Sequence, residues 1–420
     1  MQAASKAFEI AREQYSEIGV DVEAAMTALE ELELSIHCWQ GDDVGGFESP
    51  DAKLEGGGIQ VTGNYPGKAR NSAELRGDMV KLFDLLPGKH RINLHASYGE
   101  FGGKIVERDK IEKKHFAGWV SWAREQSVKL DFNATYFSHP LADSGFTLSS
   151  KEKSIRDFWI DHSKCCREIA AYFGREQGSP CVNNIWIPDG TKDFPVDRGG
   201  HRAILVEVLD EIFRDEFPES ELQDAVEAKL FGIGSEAYVV GSHEFYLGYA
   251  VSRKKVLCVD MGHFHPTELV ADKISSILPF VEKMLLHISR PMRWDSDHVV
   301  LFDDNVRFLA EELVRCGRIR DIYLGLDFFD ASINRVGAWA IGSRATLQAL
   351  LFAFLEPHKK LVEYEVSGNN FARLALLEQV KAMPFGAVWD HYCTTHDVPT
   401  QSRIIEEILG YEEKVLSRRN

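Results

Sequence analysis

The feature that most constrains this chain is an alternation: short apolar runs rich in β-branched residues, each followed by a stretch whose apolar residues recur every three to four positions. The runs are LSIHCW (34–39), RINLHAS (91–97), KLDFNA (129–134), VNNIWI (182–187), AVEAKLF (225–231), KVLCVDMG (255–262), MLLHIS (284–289) and IYLGLDFF (322–329). Segments 72–86, 115–127, 151–174, 201–216, 267–283 and 305–317 have the spacing of amphipathic helices. Eight strands in βα alternation predict a closed (β/α)8 barrel with the helices outside. One further run, HVVLFDD (298–304), would make a ninth strand and permit an open doubly wound sheet, so the barrel is the preferred of two architectures.

From Val336 to Asn420 the pattern is mainly helical. We therefore divide the chain into a barrel with an N-terminal helix (1–345) and a helical extension (346–420) suited to packing or assembly. The connection VTGNYPGKARNS (61–72), after three glycines at 56–58, is the most Gly-rich and polar. Gly63, Pro66 and Gly67 predict a flexible lid over 62–71.

Charge and cysteine content narrow the function. With 48 basic and 65 acidic residues the formal charge is -17, which repels phosphate backbones and excludes a non-specific nucleic-acid role. The seven cysteines form an odd set without a CxxC pair, as expected for free thiols in a reducing compartment. The amino terminus interleaves charges with apolar residues, and no apolar run reaches the roughly 18 residues of a membrane span. A soluble, cytoplasmic protein without membrane partners is the expectation. Nucleophile elbow, P-loop and dinucleotide fingerprint are all missing; GEFGGK at 99–104 lacks the required spacing.

Catalytic groups of such a barrel sit at the carboxyl ends of its strands. Glu227 and Lys229 are two apart in AVEAKLF, hence on one strand face. Asp260, His263 and His265 close the next run, His287 interrupts an apolar one, and Asp295, Asp297, Asp327 and Asp330 follow. Each has a bland reading. His287 suits a hydrogen-bonded core imidazole, Asp295 and Asp297 suit turns, Glu227 with Lys229 suits an ion pair, and Asp260 and Asp327 suit helix caps. Together they favour metal binding, because charges ending consecutive apolar strands must pair or hold an ion. Oxygen ligands with a minority of imidazole suit Mn²⁺ first, then Mg²⁺ or Zn²⁺.

The segments HCWQGDDVGGFE (37–48), TGNYPGKARN (62–71), DFNATYFSHPL (131–141), NIWIPDG (184–190), DMGHFHPTE, RPMRWDSDHVV and GLDFFDASINR (325–335) resemble L-rhamnose isomerases, from about residue 8 onward. The resemblance implies a TIM barrel of the xylose-isomerase-like type, a homotetramer, and interconversion of L-rhamnose and L-rhamnulose by hydrogen transfer between C2 and C1. It implies a first metal on Glu227, Asp260, His287 and Asp327, and a second, catalytic one on His263, Asp295 and Asp297. Zn²⁺, Co²⁺ or Mg²⁺ are alternatives to Mn²⁺ at one of the two sites. His265 is left to a supporting or packing role. Lys229 is expected to donate to a substrate oxygen. Asp327, or a hydroxide that it orients, is the candidate for moving the O2 proton. His95 has two readings, assistance in ring opening or a satisfied core histidine. Trp39, Phe132 and Trp186 are candidates for an aromatic pocket wall or for ordinary packing.

Related clusters also serve keto-sugar epimerases and DNA-repair endonucleases. The acidic charge argues against the nuclease. An epimerase set typically uses two Glu where this chain offers one Glu with several Asp, and an intact Lys229 argues against a binding protein that has lost catalysis.

Overall fold

The computed structural model describes residues 2–48, 61, 63–230, 232, 234–265, 267–290 and 298–419. Eight parallel strands close a barrel in chain order: β1 (Glu33–His37), β2 (Lys89–His95), β3 (Lys129–Asn133), β4 (Cys181–Trp186), β5 (Leu222–Glu227), β6 (Val256–Asp260), β7 (Met284–Ile288) and β8 (Ile322–Leu326). β1 closes on β8 through Leu34↔Leu324 and Ser35↔Gly325. Seven strands coincide with an apolar run; β5 begins three residues before AVEAKLF and ends at Glu227, so Lys229, expected on the same strand face, lies just beyond the strand. HVVLFDD adds none: His298 makes one isolated bridge to Arg290, and Asp303 caps the helix Asp304–Arg315.

The period of two sorts the strands' side chains. Outward residues such as Ile36, Leu94, Val226, Val259 and Leu286 join the main core under the helices. Inward, Val182, Ala225, Val256, Cys258 and Leu285 form a small apolar cluster against Tyr323. The opposite inner wall is polar. Ser35, Arg91, Asn93, Asp131, Asn133 and Asn184 line a cavity of about 210 Å³ at the amino-terminal end of the barrel. There Arg91 forks onto Asp131 at 2.8 and 2.8 Å, reaches Glu33 at 3.0 Å and donates to the Pro180 carbonyl at 2.7 Å. Ser35 and the Val182 N–H supply further donors to Asp131 at 2.7 and 2.9 Å.

Helices Ser72–Phe83, Ala117–Glu125, Lys153–Gln177, Arg198–Ile212 and Asp304–Arg315 follow the predicted spacing. In the segment 267–283 only Ala271–Ile277 is α-helical, and His243–Arg253 adds a helix the periodicity did not mark. After β8, one helix, Arg335–Phe354, runs through position 345 and is buried nearly all round, which removes the amphipathic period that would have announced it. Beyond it come His358–Val366, Asn370–Lys381, Phe385–Thr395 and Ile404–Lys414.

The described part of the expected lid is pinned. Tyr65 N–H donates to the Ala331 carbonyl at 2.7 Å, Arg335 donates to the Tyr65 carbonyl at 2.6 Å, and the Tyr65 hydroxyl donates to Glu412 at 2.8 Å. Gly63 and Gly67 serve close approach: a Cβ would meet Ala331 backbone at 2.4 Å and Leu416 at 2.7 Å. Both glycines thus serve packing in this structure; Thr62 and residues 49–60 lie outside the described residues.

Candidate metal centre

At the carboxyl end of the barrel the apolar strands β5 to β8 each finish on a polar group. Glu227, Asp260, His287 and Asp327 each offer one ligand atom, and these atoms all lie within 4.8 Å of one another. Nδ1 of His287 stands 3.1 Å from Glu227 Oε1, 3.7 Å from Asp260 Oδ2 and 3.3 Å from Asp327 Oδ2. Gly325 beside His287 leaves room for the ring, since a Cβ there would approach its Cδ2 to 3.3 Å.

Each carboxylate has one oxygen tethered from outside the cluster. Asn184 donates to Glu227 Oε2; the Gly262 N–H (2.6 Å) and Ser289 hydroxyl (3.3 Å) donate to Asp260 Oδ1; the Trp39 indole N–H donates to Asp327 Oδ1 at 2.9 Å. The other oxygens turn toward one point, and Asp260 Oδ2, fully buried, has no hydrogen-bond partner. Two buried carboxylates and the half-buried Asp327 facing one imidazole constitute a strong negative potential that a divalent cation satisfies. Donor set and orientation fit an oxygen-seeking ion.

Electrostatics carry the same message. Burial pushes Asp260 well above the usual carboxylate range, and the Glu227 and Asp327 charges push it further. Burial opposes a charge on His287, but Cys258 and Glu227 around it raise its pKa well above the ordinary 6.5. For Asp327, burial is outweighed by the His287 hydrogen bond and charge, which hold it below its usual value. Burial and neighbouring charge thus favour the protonated forms of Asp260 and His287, and ligation works against both. Mn²⁺ binding to the EDTA-stripped chain is expected to release protons and to tighten as pH rises. Calorimetry in buffers of different ionisation enthalpy checks this; binding without proton uptake by the buffer contradicts it.

Around the cluster, His263 places Nδ1 3.7 Å from Glu227 Oε1. Its two expected partners, Asp295 and Asp297, lie outside the described residues. His265 is exposed, its Nδ1 2.7 Å from the Thr267 hydroxyl. Lys229 is buried, its ammonium 5.2 Å from the centre of the Trp186 ring. His95 packs edge-on to Trp39 at 4.6 Å and lies 3.3 Å from the Thr135 hydroxyl. Burial lowers its pKa to about 3, so the imidazole is neutral.

Phe132 does not belong to this wall. Asp131 and Asn133 point into the barrel, so Phe132 points out, packed on Phe116 at 5.2 Å and Phe173 at 5.5 Å. The aromatic beside Trp186 is instead Phe137, 6.2 Å away and 5.5 Å from His95. Sequence reasoning also missed Asn184, Ser289 and His37. His37 is a buried inward residue against Phe328 at 4.4 Å, its pKa lowered by burial to about 4. A polar residue at an inward position of an apolar strand was the available signal for Asn184 and His37.

Comparison with known proteins bears on this site. Solved structures similar to the chain include D-psicose 3-epimerase from Clostridium cellulolyticum (TM-score 0.45, 11% identity, 77% of this chain and 98% of that one). A D-allulose 3-epimerase from Methylomonas is another (TM-score 0.45, 9% identity, 80% and 98%). Among curated proteins, the L-rhamnose isomerase of Rhodopirellula baltica is 56% identical over 415 residues, covering 99% of this chain and 97% of its own. That of Salmonella paratyphi B is 54% identical over 415 residues, covering 99% of both. The family model described as L-rhamnose isomerase (RhaA) matches residues 2–419, and with relatives this similar along nearly their whole length, the chain belongs to the L-rhamnose isomerase family.

Proposed function

We propose that this enzyme, an aldose–ketose isomerase by its family, interconverts L-rhamnose and L-rhamnulose with divalent cations held at the barrel mouth. The observation that carries the reading is the set of three carboxylates, each tethered on one oxygen and converging with the other on His287. A bound divalent cation supplies Lewis-acid stabilisation of charge developing on the sugar oxygens.

Glu227, Asp260, His287 and Asp327 would hold one such ion, and His263 with Asp295 and Asp297 a second. Mn²⁺ is the first candidate, ahead of Zn²⁺, Co²⁺ and Mg²⁺. Asp327 is the member of the quartet open to the mouth, its side chain 20% exposed. Ionised and steadied by Trp39, it is positioned to move the proton between O2 and O1 while hydrogen passes from C2 to C1. Lys229 presents a fixed ammonium to a substrate oxygen as negative charge develops, in a pocket that Trp186 helps to keep dry. Neutral His95 would relay the O1 hydroxyl proton to the ring oxygen as the C1–O5 bond breaks, and Trp39 offers a face to the apolar side of a deoxy sugar.

We place the enzyme in the cytoplasm as a homotetramer, with residues 346–420 contributing contacts; no single described helix is long and apolar enough to cross a membrane. Val362, Val366, Phe371 and Leu374, 44 to 84% exposed on successive helices, form the kind of apolar patch that subunit contacts cover. Light scattering of the wild type and of a Val366→Asp, Phe371→Asp variant tests this; an unchanged assembly removes this patch from the interface.

The decisive assay is ketose formation from L-rhamnose by the EDTA-stripped protein before and after Mn²⁺ is restored, with Asp297→Asn alongside. Turnover should vanish on stripping, return with Mn²⁺, and not return in the variant. No ketose with any divalent ion would overturn the proposal.

A further inference from the structure

Directly beneath the carboxylate quartet lies a group of different chemical character. Cys258 is paired with Glu227 across β5 and β6, and like Glu227 it faces the barrel interior. One ligand atom each from Glu227, Cys258 and His287 lie within 4.8 Å of one another, and all three residues are buried. The His287 ring, within that reach of the Cys258 thiol, turns Nδ1 to the carboxylates while its buried Nε2 makes no hydrogen bond. The apolar neighbours Val182, Ala225, Val256 and Leu285 leave these groups as the polar lining of that side.

We propose that Glu227, Cys258 and His287 form a second cation site, one pleat deeper than the carboxylate quartet, that takes thiophilic divalent ions such as Cd²⁺ or Zn²⁺. Thiolate, imidazole and one carboxylate are a soft-to-borderline donor set of the kind that binds Zn²⁺ with an open fourth position, whereas the quartet offers one nitrogen among oxygens. An ion entering from the mouth meets both sets and chooses by its chemistry. Binding at Cys258 expels the thiol proton to solvent and forms a metal–sulfur bond; no redox step is involved. Because Glu227 and His287 belong to both sets, occupancy of the deeper site leaves Asp260 and Asp327 without their partners. Thiophilic ions then act as displacers of the activating ion. The exclusivity rests on the quartet being an ion site; the sulfur site does not.

The test titrates the EDTA-stripped full chain with Cd²⁺ while following two signals, the ultraviolet thiolate-to-cadmium charge-transfer band and the free Mn²⁺ released from preloaded protein, read by electron paramagnetic resonance. In the wild type the band should grow as Mn²⁺ is released. In Cys258→Ser the band should be lost, and the Cd²⁺ concentration that releases half the Mn²⁺ should rise by roughly tenfold or more. Cys258→Ala serves where the serine variant fails to fold. Cys166→Ser, removing a thiol 3.6 Å from His162 Nε2 on the outer helix Lys153–Gln177, is the reference that should keep the band. A band that is absent in the wild type or survives in both Cys258 variants overturns the site. A band lost in those variants with Mn²⁺ release unaltered overturns the exclusivity.

Discussion

Glu227→Gln should reduce the Mn²⁺ affinity of the stripped chain by more than the roughly 10 to 100-fold typical for loss of an outer-shell partner, and leave no measurable ketose formation. The substitution keeps shape and can keep the Asn184 hydrogen bond, but it then turns an amide donor toward His287 Nδ1, 3.1 Å away, where an acceptor stands. Asn184→Ala, which only frees the far oxygen of Glu227, should fall within that 10 to 100-fold range. Calorimetric titration with Mn²⁺ measures both affinities. An Asn184 variant as damaged as the Glu227 variant would mean that tethering, and not direct ligation, is what Glu227 contributes.

The largest loss of stability is expected far from that mouth. Arg91→Met leaves Asp131 and Glu33 without their shared guanidinium, and Asp131 is only 4% exposed. Removing one partner of a buried ion pair costs about 3–5 kcal/mol. Asp131→Asn in the same chain removes the stranded charge; its one amide oxygen can still accept from the Val182 N–H while its amide nitrogen donates to the Ser35 hydroxyl, so the double variant should recover at least half of the loss. Denaturant or calorimetric unfolding of the stripped forms reads this out. Equal losses in single and double variants would show that the guanidinium acts by filling space.

Much of the barrel was legible because most outward strand residues are apolar and most polar ones end a strand or face inward; Asp224, which faces out to Arg167 of the helix Lys153–Gln177, is an exception. That is how Glu227, Asp260, His287 and Asp327 stood out, and the structure brings those residues together. The same period of two marked Asp131 and Asn133 as inward, and with them Phe132 as outward; attending to strand ends alone hid this. Arg335–Phe354 was illegible for the opposite reason, since a helix packed on all sides has no polar stripe to announce its limits. Gly63 and Gly67 misled because sequence does not distinguish a glycine that lets a loop move from one that lets two backbones touch.

The pinned loop after β1 also sets a timetable. Tyr65 is held by Glu412, 347 residues further along, and the Gly67 carbonyl accepts from Arg419 at 3.3 Å. On the ribosome the first strand's loop is made early and its brace late, so a nascent chain can close the eight-stranded ring while the mouth of that ring is still unfinished. The entrance therefore settles only once Glu412 and Arg419 have been made, and a translation product that stops after β8 would be a barrel without these braces.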